Sequence, residues 1–232
     1  MELIGRGRDA DVYALGDGRV LRRYRPGGPA GAEAEARLMA YLAGQGFPVP
    51  HVYDANGTDQ VLERLEGPTM RAALRRRPWR AAAYGRTLGL LHDRLHAVPA
   101  PEFLPSSPAA GSGDRVLHLD LHPENVVLTA RGPYLIDWTN AAAGDPACDV
   151  AMAVCILRGA ELGPPEALGL RVLLRALLRT TRTDPAPGYA HALPARLADR
   201  NLTPGEARRL RRALGAGAGA GARRPGPGAG RA

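Results

Sequence analysis

Lysine is absent from this chain; all 31 of its basic residues are arginine. Arginine is abundant together with alanine, glycine and proline, the joint signature of a GC-rich coding bias. That bias accounts for the net charge of +8 without a nucleic-acid partner. Aromatics are scarce, at 5% of residues, and no basic run is interleaved with the stacking side chains that grip single strands. Charge without such a motif argues against nucleic acid as the partner. Long apolar runs are missing too. The longest, Val150 to Leu157, falls far short of the roughly 20 residues a bilayer span needs. The opening MELIGRGRDADV is charged from its second residue and has no apolar run behind it, so it does not read as a signal peptide. The expectation is a soluble, cytoplasmic protein with no membrane partner. Cysteine is limited to Cys148 and Cys155. Seven residues of helix separate their Cα atoms by about 10 Å, beyond disulfide reach, so both read as small apolar core residues.

What is present suffices for a core. Of 232 residues, 45% are hydrophobic, enough for one domain or two closely packed lobes. The first third reads as short strands around one helix. Asp11 to Leu15 and Arg19 to Tyr24 are strand-like, with Asp17-Gly18 as a tight hairpin turn. Ala30 to Ala43 is helical and closed by Gly44 and Gly46. His51 to Asp54 and Gln60 to Leu65 are two more strands, turned by Asn56-Gly57. Gly67-Pro68 marks a hinge. These breaks predict an N-terminal unit over 1–66, a helical unit over 67–214 and a disordered Gly/Ala/Pro/Arg tail over 215–232. In the second unit, Trp79 to Ala97 is a long amphipathic helix, Pro99 to Gly113 a loop, and Ala147 to about Leu214 mostly helical. Thr203-Pro204-Gly205-Glu206 fits a capping box with proline at the first helical position.

The chemistry concentrates in His118-Leu-Asp-Leu-His-Pro-Glu-Asn125 and Ile136-Asp137-Trp138. Phosphoryl transfer needs a carboxylate to orient the attacking hydroxyl, oxygen ligands for magnesium and a cradle for phosphates. An Asp followed five residues later by an Asn, on a loop that curls back, supplies the first and part of the second. An Asp after the next hairpin, Val126 to Ile136, completes the metal site. Asp120, Asn125 and Asp137 have this order and spacing.

At these residues the chain resembles the aminoglycoside phosphotransferase and choline kinase-like family, itself related to protein kinases. His118-x-Asp120 with Asn125 matches the family's catalytic loop, and Ile136-Asp137-Trp138 its metal-binding motif. Leu91-His92, Leu95 to Pro99, Gly144-Asp145-Pro146 with Asp149, and Gly46 to Pro50 look like flanking family segments. The resemblance covers residues 1 to about 160. It implies an α+β, protein-kinase-like two-lobe fold, with a small β-sheet N-lobe holding one helix and a larger helical C-lobe. It also implies a phosphotransferase that moves the γ-phosphate of ATP or GTP to a hydroxyl of a small molecule. Asp120 would be the catalytic base, and Asn125 and Asp137 would hold Mg²⁺. Gly5 and Gly7 would cover the phosphates. Glu35 would pair with the basic residue of the third strand. The stretch from Glu63 through Leu65 to Glu66 would receive the adenine on its backbone.

The departure from the family is that this strand residue is Arg22 or Arg23 where the family has lysine. Alternation lets only one point into the cleft, and the motif register favours Arg22. Arginine keeps the charge with a different geometry. A second reading follows from this substitution: a catalytically inactive, kinase-like nucleotide- or ligand-binding protein. His92 and His96, four apart in HDRLH, share a helix face and could bind zinc, but Asp93 replaces the Glu of a zinc protease and no third ligand stands out. His118 reads as packing under the catalytic loop and Asp149 as an anchor of it. From Cys155 to Leu214 there are eleven arginines against five acids. A polycation should not favour that lobe, so the acceptor is expected to be neutral or anionic.

Overall fold

The computed structural model describes residues 1–7, 10–25 and 31–215. The chain opens with three antiparallel strands, β1 (Glu2–Arg6), β2 (Ala10–Gly16) and β3 (Arg19–Tyr24). Asp17 and Gly18 both take positive φ, 49° and 69°, as a two-residue hairpin turn requires. Helix α1 (Ala32–Gly44) follows and then the hairpin of β4 (Val52–Asn56) and β5 (Asp59–Glu63). The five strands form one sheet in the order β1-β2-β3-β5-β4. α1 buries Leu38, Met39 and Leu42 against it. The helix ends where Gly46 (φ 73°) turns the chain and the Phe47 amide reaches back to the Leu42 carbonyl at 2.9 Å.

The remainder is helical with small strand pairs. α2 (Met70–Arg76) and a 3₁₀ turn, Pro78–Arg80, lead into α3 (Ala81–His96). β6 (Arg115–Leu117) pairs with β9 (Ala142–Gly144), and β7 (Val126–Thr129) forms a hairpin with β8 (Gly132–Leu135). Four helices close the chain: α4 (Pro146–Gly159), α5 (Pro164–Thr180), α6 (Tyr189–Leu197) and α7 (Pro204–Gly215). This is the α+β, kinase-like arrangement that the sequence implied. α4 is the central helix, buried along most of its length, Cys148 and Cys155 included. Burial pushes the two thiols up to about 11 and about 12, which makes them inert packing groups. α7 starts with the expected box: Glu206 Oε2 accepts from the Thr203 amide at 2.9 Å, and Thr203 Oγ1 from the Glu206 amide at 3.1 Å.

One apolar cluster joins the two parts. It runs from Val20, Leu38, Leu42 and Leu62 through Phe47 and Trp138 to Leu88, Leu91 and Leu95. Phe47 meets Trp138 edge-on, ring centroids 5.8 Å apart. The sheet is thereby fixed against the segment that carries Asp137.

Three expectations need correction. α2 falls where no helix was expected. The long helix begins at Ala81 rather than Trp79, because Pro78 starts a separate 3₁₀ turn. β5 ends at Glu63, two residues early. The tail expected to be disordered lies, beyond Gly215, outside the described residues. No helix among the described residues is long and apolar enough to cross a membrane.

Candidate active site

The site begins with β3. Strand alternation turns Arg22 inward, while exposed Arg23 pairs with Asp59 across the sheet at 2.6 Å. Arg22 is a two-pronged link: Nη1 donates to Glu35 Oε1 at 2.8 Å, and Nη2 to Asp137 Oδ1 at 2.6 Å. Glu35 comes from α1 and its side chain is 5% exposed. It also accepts from the Trp138 amide at 2.7 Å and from the Tyr24 hydroxyl. Burial pushes the Glu35 carboxyl up, against the pull of Arg22. Asp137 is half-exposed. Burial opposes its ionisation too, but the Arg22 guanidinium and the bonds from Arg22 and Thr139 hold its carboxyl below the usual range.

Asp137 sits just past β8 with φ 67°, a left-handed conformation that swings its carboxylate out of the hairpin. Asn125 sits just before β7, and its carbonyl accepts from the Ile136 amide at 2.9 Å. The hairpin therefore delivers Asn125 and Asp137 side by side at its base. Asn125 Nδ2 donates to the Asp120 carbonyl at 2.8 Å and to Asp120 Oδ2 at 3.0 Å, which closes the 120–125 loop. His122 Nε2 lies 3.4 Å from Asp120 Oδ1.

The loop rests on a buried base. Asp149, in the first turn of α4, accepts from the Leu119 amide at 2.7 Å and the His118 amide at 3.2 Å, and His96 Nε2 lies 2.9 Å from it. Burial would raise its carboxyl, but the His96 bond and the surrounding imidazoles hold it far below the usual range. His118 is fully buried. Its Nε2 lies 3.1 Å from the Ile136 carbonyl, and its ring lies 4.6 Å from that of Trp138. His92 bonds the Leu88 carbonyl at 2.9 Å, so the HDRLH pair is spent on packing. Among the described residues, no group of three or more His, Cys, Asp or Glu could hold a metal ion.

The donor set does fit a hard cation that takes its remaining ligands from phosphate and water. Asn125 Oδ1 and Asp137 Oδ2 have no hydrogen-bond partner among the described residues, because Asn125 Nδ2 and Asp137 Oδ1 carry the contacts. Both are oxygens, as Mg²⁺ prefers. Leu65, after β5, has a backbone amide and carbonyl with no partner among the described residues, an edge an adenine could use. Glu63 has its carboxylate on the His51 amide and on Arg131. Gly5 pairs with Val12 between β1 and β2, and the Gly7 amide donates to the Ala10 carbonyl. A Cβ on Gly7 would lie 2.9 Å from the Ala10 carbonyl, so the turn itself needs that glycine, whereas Gly5 faces Val12 at ordinary distance. Residues 8 and 9 lie outside the described residues. Sequence reasoning missed Tyr24 and Thr139. Tyr24 stands two residues after Arg22 on the same strand face, and Thr139 two after Asp137, so alternation alone could have flagged Tyr24.

This constellation can be compared with known proteins. The chain matches the phosphotransferase enzyme family over residues 1–114 and 102–191. It belongs to that family. Streptomycin 6-kinase of Streptomyces griseus is 32% identical over 134 residues, 42% of this chain and 42% of that protein. A protein of Bacillus subtilis (strain 168) named for serine/threonine-protein kinase activity, YrzF, is 29% identical over 135 residues, 57% of this chain and 55% of that one. The chain thus spans about half the length of these relatives. Among solved structures, a thermostable mutant of aminoglycoside phosphotransferase APH(4)-Ia in its apo form superposes with TM-score 0.66 at 16% identity, covering 94% of both chains. At that identity the likeness speaks for the kinase-like fold of this phosphotransferase-family chain.

Proposed function

We propose that this phosphotransferase-family chain transfers the γ-phosphate of ATP or GTP to a hydroxyl of a small molecule. The nucleotide lies between the sheet-bearing residues 1–66 and the helical residues 67–214. The observation that carries this reading is the Arg22 fork, which ties Glu35 of α1 to Asp137 beside Asn125 and Asp120. Asp120 takes the proton from the acceptor hydroxyl as the new O–P bond forms and the bond to the β,γ-bridging oxygen breaks, releasing nucleoside diphosphate. Asn125 Oδ1 and Asp137 Oδ2 would hold Mg²⁺, which supplies charge neutralisation for the phosphates. Arg22 steadies phosphate oxygens with a guanidinium already oriented by Glu35, and the Leu65 backbone receives the base.

We place the acceptor among neutral or anionic hydroxyl compounds, because eleven arginines against five acids over 155–214 disfavour a polycation. The name of the Streptomyces griseus relative points instead to streptomycin, so the compound panel must include it. The test is γ-phosphate consumption across that panel with parent and Asp120→Asn protein. At least a hundredfold loss of turnover is expected, with Mg-ATP thermal stabilisation retained. Equal rates in the two proteins would end the catalytic assignment of Asp120. Streptomycin consumed at high kcat/KM would end the charge argument.

A further inference from the structure

A cavity of about 480 Å³ lies in the helical part of the chain, and none of residues 118–125 lines it. Its walls are Pro68, α2, the start of α3 and the tip of the β7–β8 hairpin, where Leu128, Thr129, Gly132 and Pro133 lie. The floor is apolar, with Ala73 and buried Tyr84. Its rim holds three exposed guanidiniums, Arg76, Arg77 and Arg80. No carboxylate lines it. None of the three arginines has an ion-pair partner among the described residues, while neighbouring Arg71 and Arg75 do, with Glu124 and Glu166. The Thr129 and Thr87 hydroxyls already donate to the Gly132 and Ala83 carbonyls, so the free side-chain donors in the lining are the guanidinium N–H groups and the Tyr84 hydroxyl. Arg80 lies over the Tyr84 ring, 5.7 Å from its centroid, but no carboxylate offsets any of the three charges. Like charges around one hollow repel, and an anion relieves that repulsion.

We propose that this cavity is a second binding site, for a small amphipathic anion: an apolar or planar body bearing a phosphate or carboxylate group. The body covers Tyr84 and the anionic group sits among Arg76, Arg77 and Arg80, where planar donor forks match its oxygens. The volume falls within the range of small-molecule sites, roughly 300–1,000 Å³. The site is distinct from the proposed phosphoryl-transfer centre, since the hairpin presents Asn125 and Asp137 at its base and lines this cavity with its tip. The inference therefore stands whether or not the chain is a kinase.

The test is calorimetric titration of the full chain with 1-naphthyl phosphate, with a non-hydrolysable ATP analogue and Mg²⁺ held in excess to occupy the other site. One saturable event is expected. 1-Naphthol and inorganic phosphate, each carrying half of the required chemistry, should bind at least tenfold more weakly. Arg76→Ala/Arg77→Ala/Arg80→Ala should weaken the naphthyl phosphate by tenfold or more. Arg80→Glu alone should do the same, should the triple variant be poorly soluble. All three positions are exposed, so the unfolding midpoint should not move. Unchanged affinity in both variants, or 1-naphthol binding as tightly as its phosphate ester, overturns the proposal. A failed nucleotide thermal shift bears on the Asp120 centre alone.

Discussion

Replacing Arg22 by alanine isolates the energetics of the fork. Arg22 and Glu35 are 12% and 5% exposed at the side chain, and Glu35 has no water-facing route to a new partner. Removing one member of a buried pair typically costs about 3–5 kcal/mol, because the other charge is left uncompensated. Asp137, 40% exposed, recovers its lost contact from water and adds little. For a chain of this length that cost lowers the melting temperature by roughly 6–20 °C. The decisive step is the rescue. In Arg22→Ala/Glu35→Gln the buried charge is gone, and the glutamine carbonyl can still accept the Trp138 amide that Glu35 now takes at 2.7 Å. The double variant should recover at least about 2 kcal/mol of the loss. Urea unfolding followed by fluorescence, with Trp138 beside the site, measures all the corners of the cycle. A double variant no more stable than Arg22→Ala would refute the reasoning, because the cost would then not lie in the stranded carboxylate.

Stability should fall on acidification through a window set by His92. Burial lowers its folded-state pKa from 6.5 to about 4, so between these values the unfolded chain binds more protons than the folded one and stability rises with pH, by about 3 kcal/mol across the window. His118, also held low by burial, acts in the same direction. Urea midpoints at pH 7 and 4.5 check this, and His92→Gln should flatten the slope. Gly85→Ala should cost about 3 kcal/mol or more, since the added Cβ would lie 2.1 Å from the Leu173 carbonyl where α3 crosses α5. Gly169→Ala, with nothing within 4 Å on α5, should instead stabilise by up to about 1 kcal/mol, and thermal melts distinguish the two signs.

What was legible in the sequence were features governed by neighbours in the chain. The Asp17-Gly18 turn and the Thr203–Glu206 box follow from local rules, and both are present. α2 was missed because it is only seven residues long and basic, although Met70, Ala73 and Leu74 stand at helical spacing and Thr69 caps it by accepting from the Ala72 amide at 3.2 Å. Alternation reduced the strand cation to Arg22 or Arg23. The motif register favoured Arg22, and the structure gives that residue its partner Asp137, 115 residues away, a contact no local rule supplies. The spacing of Asp120, Asn125 and Asp137 gave the order of the groups. The pairing of the Ile136 amide with the Asn125 carbonyl, which sets two of them side by side, came only with the fold.

The backbone of the site is held in a conformation that side chains rarely choose. Leu119 and Asp137 take φ of 59° and 67°, each at a cost of order 1–3 kcal/mol; Leu119 precedes the 120–125 loop and Asp137 follows the β7–β8 hairpin. Such strain persists only where surrounding contacts outweigh it, and for Leu119 the outweighing contact is Asp149. Its Oδ1 takes the Leu119 amide, while Oδ2 takes the His118 amide and lies against His96. Asp149→Asn keeps one acceptor but turns an NH₂ toward a second backbone donor, stranding a buried N–H at about 1–3 kcal/mol. That is comparable to the strain it opposes, so the loop rather than the α4 core should loosen. Hydrogen exchange at the Leu119 and Asp120 amides should speed up while α4 stays protected, and turnover should fall with Asp120 itself untouched. Exchange that speeds up equally in α4 would show that Asp149 supports the core and not the loop.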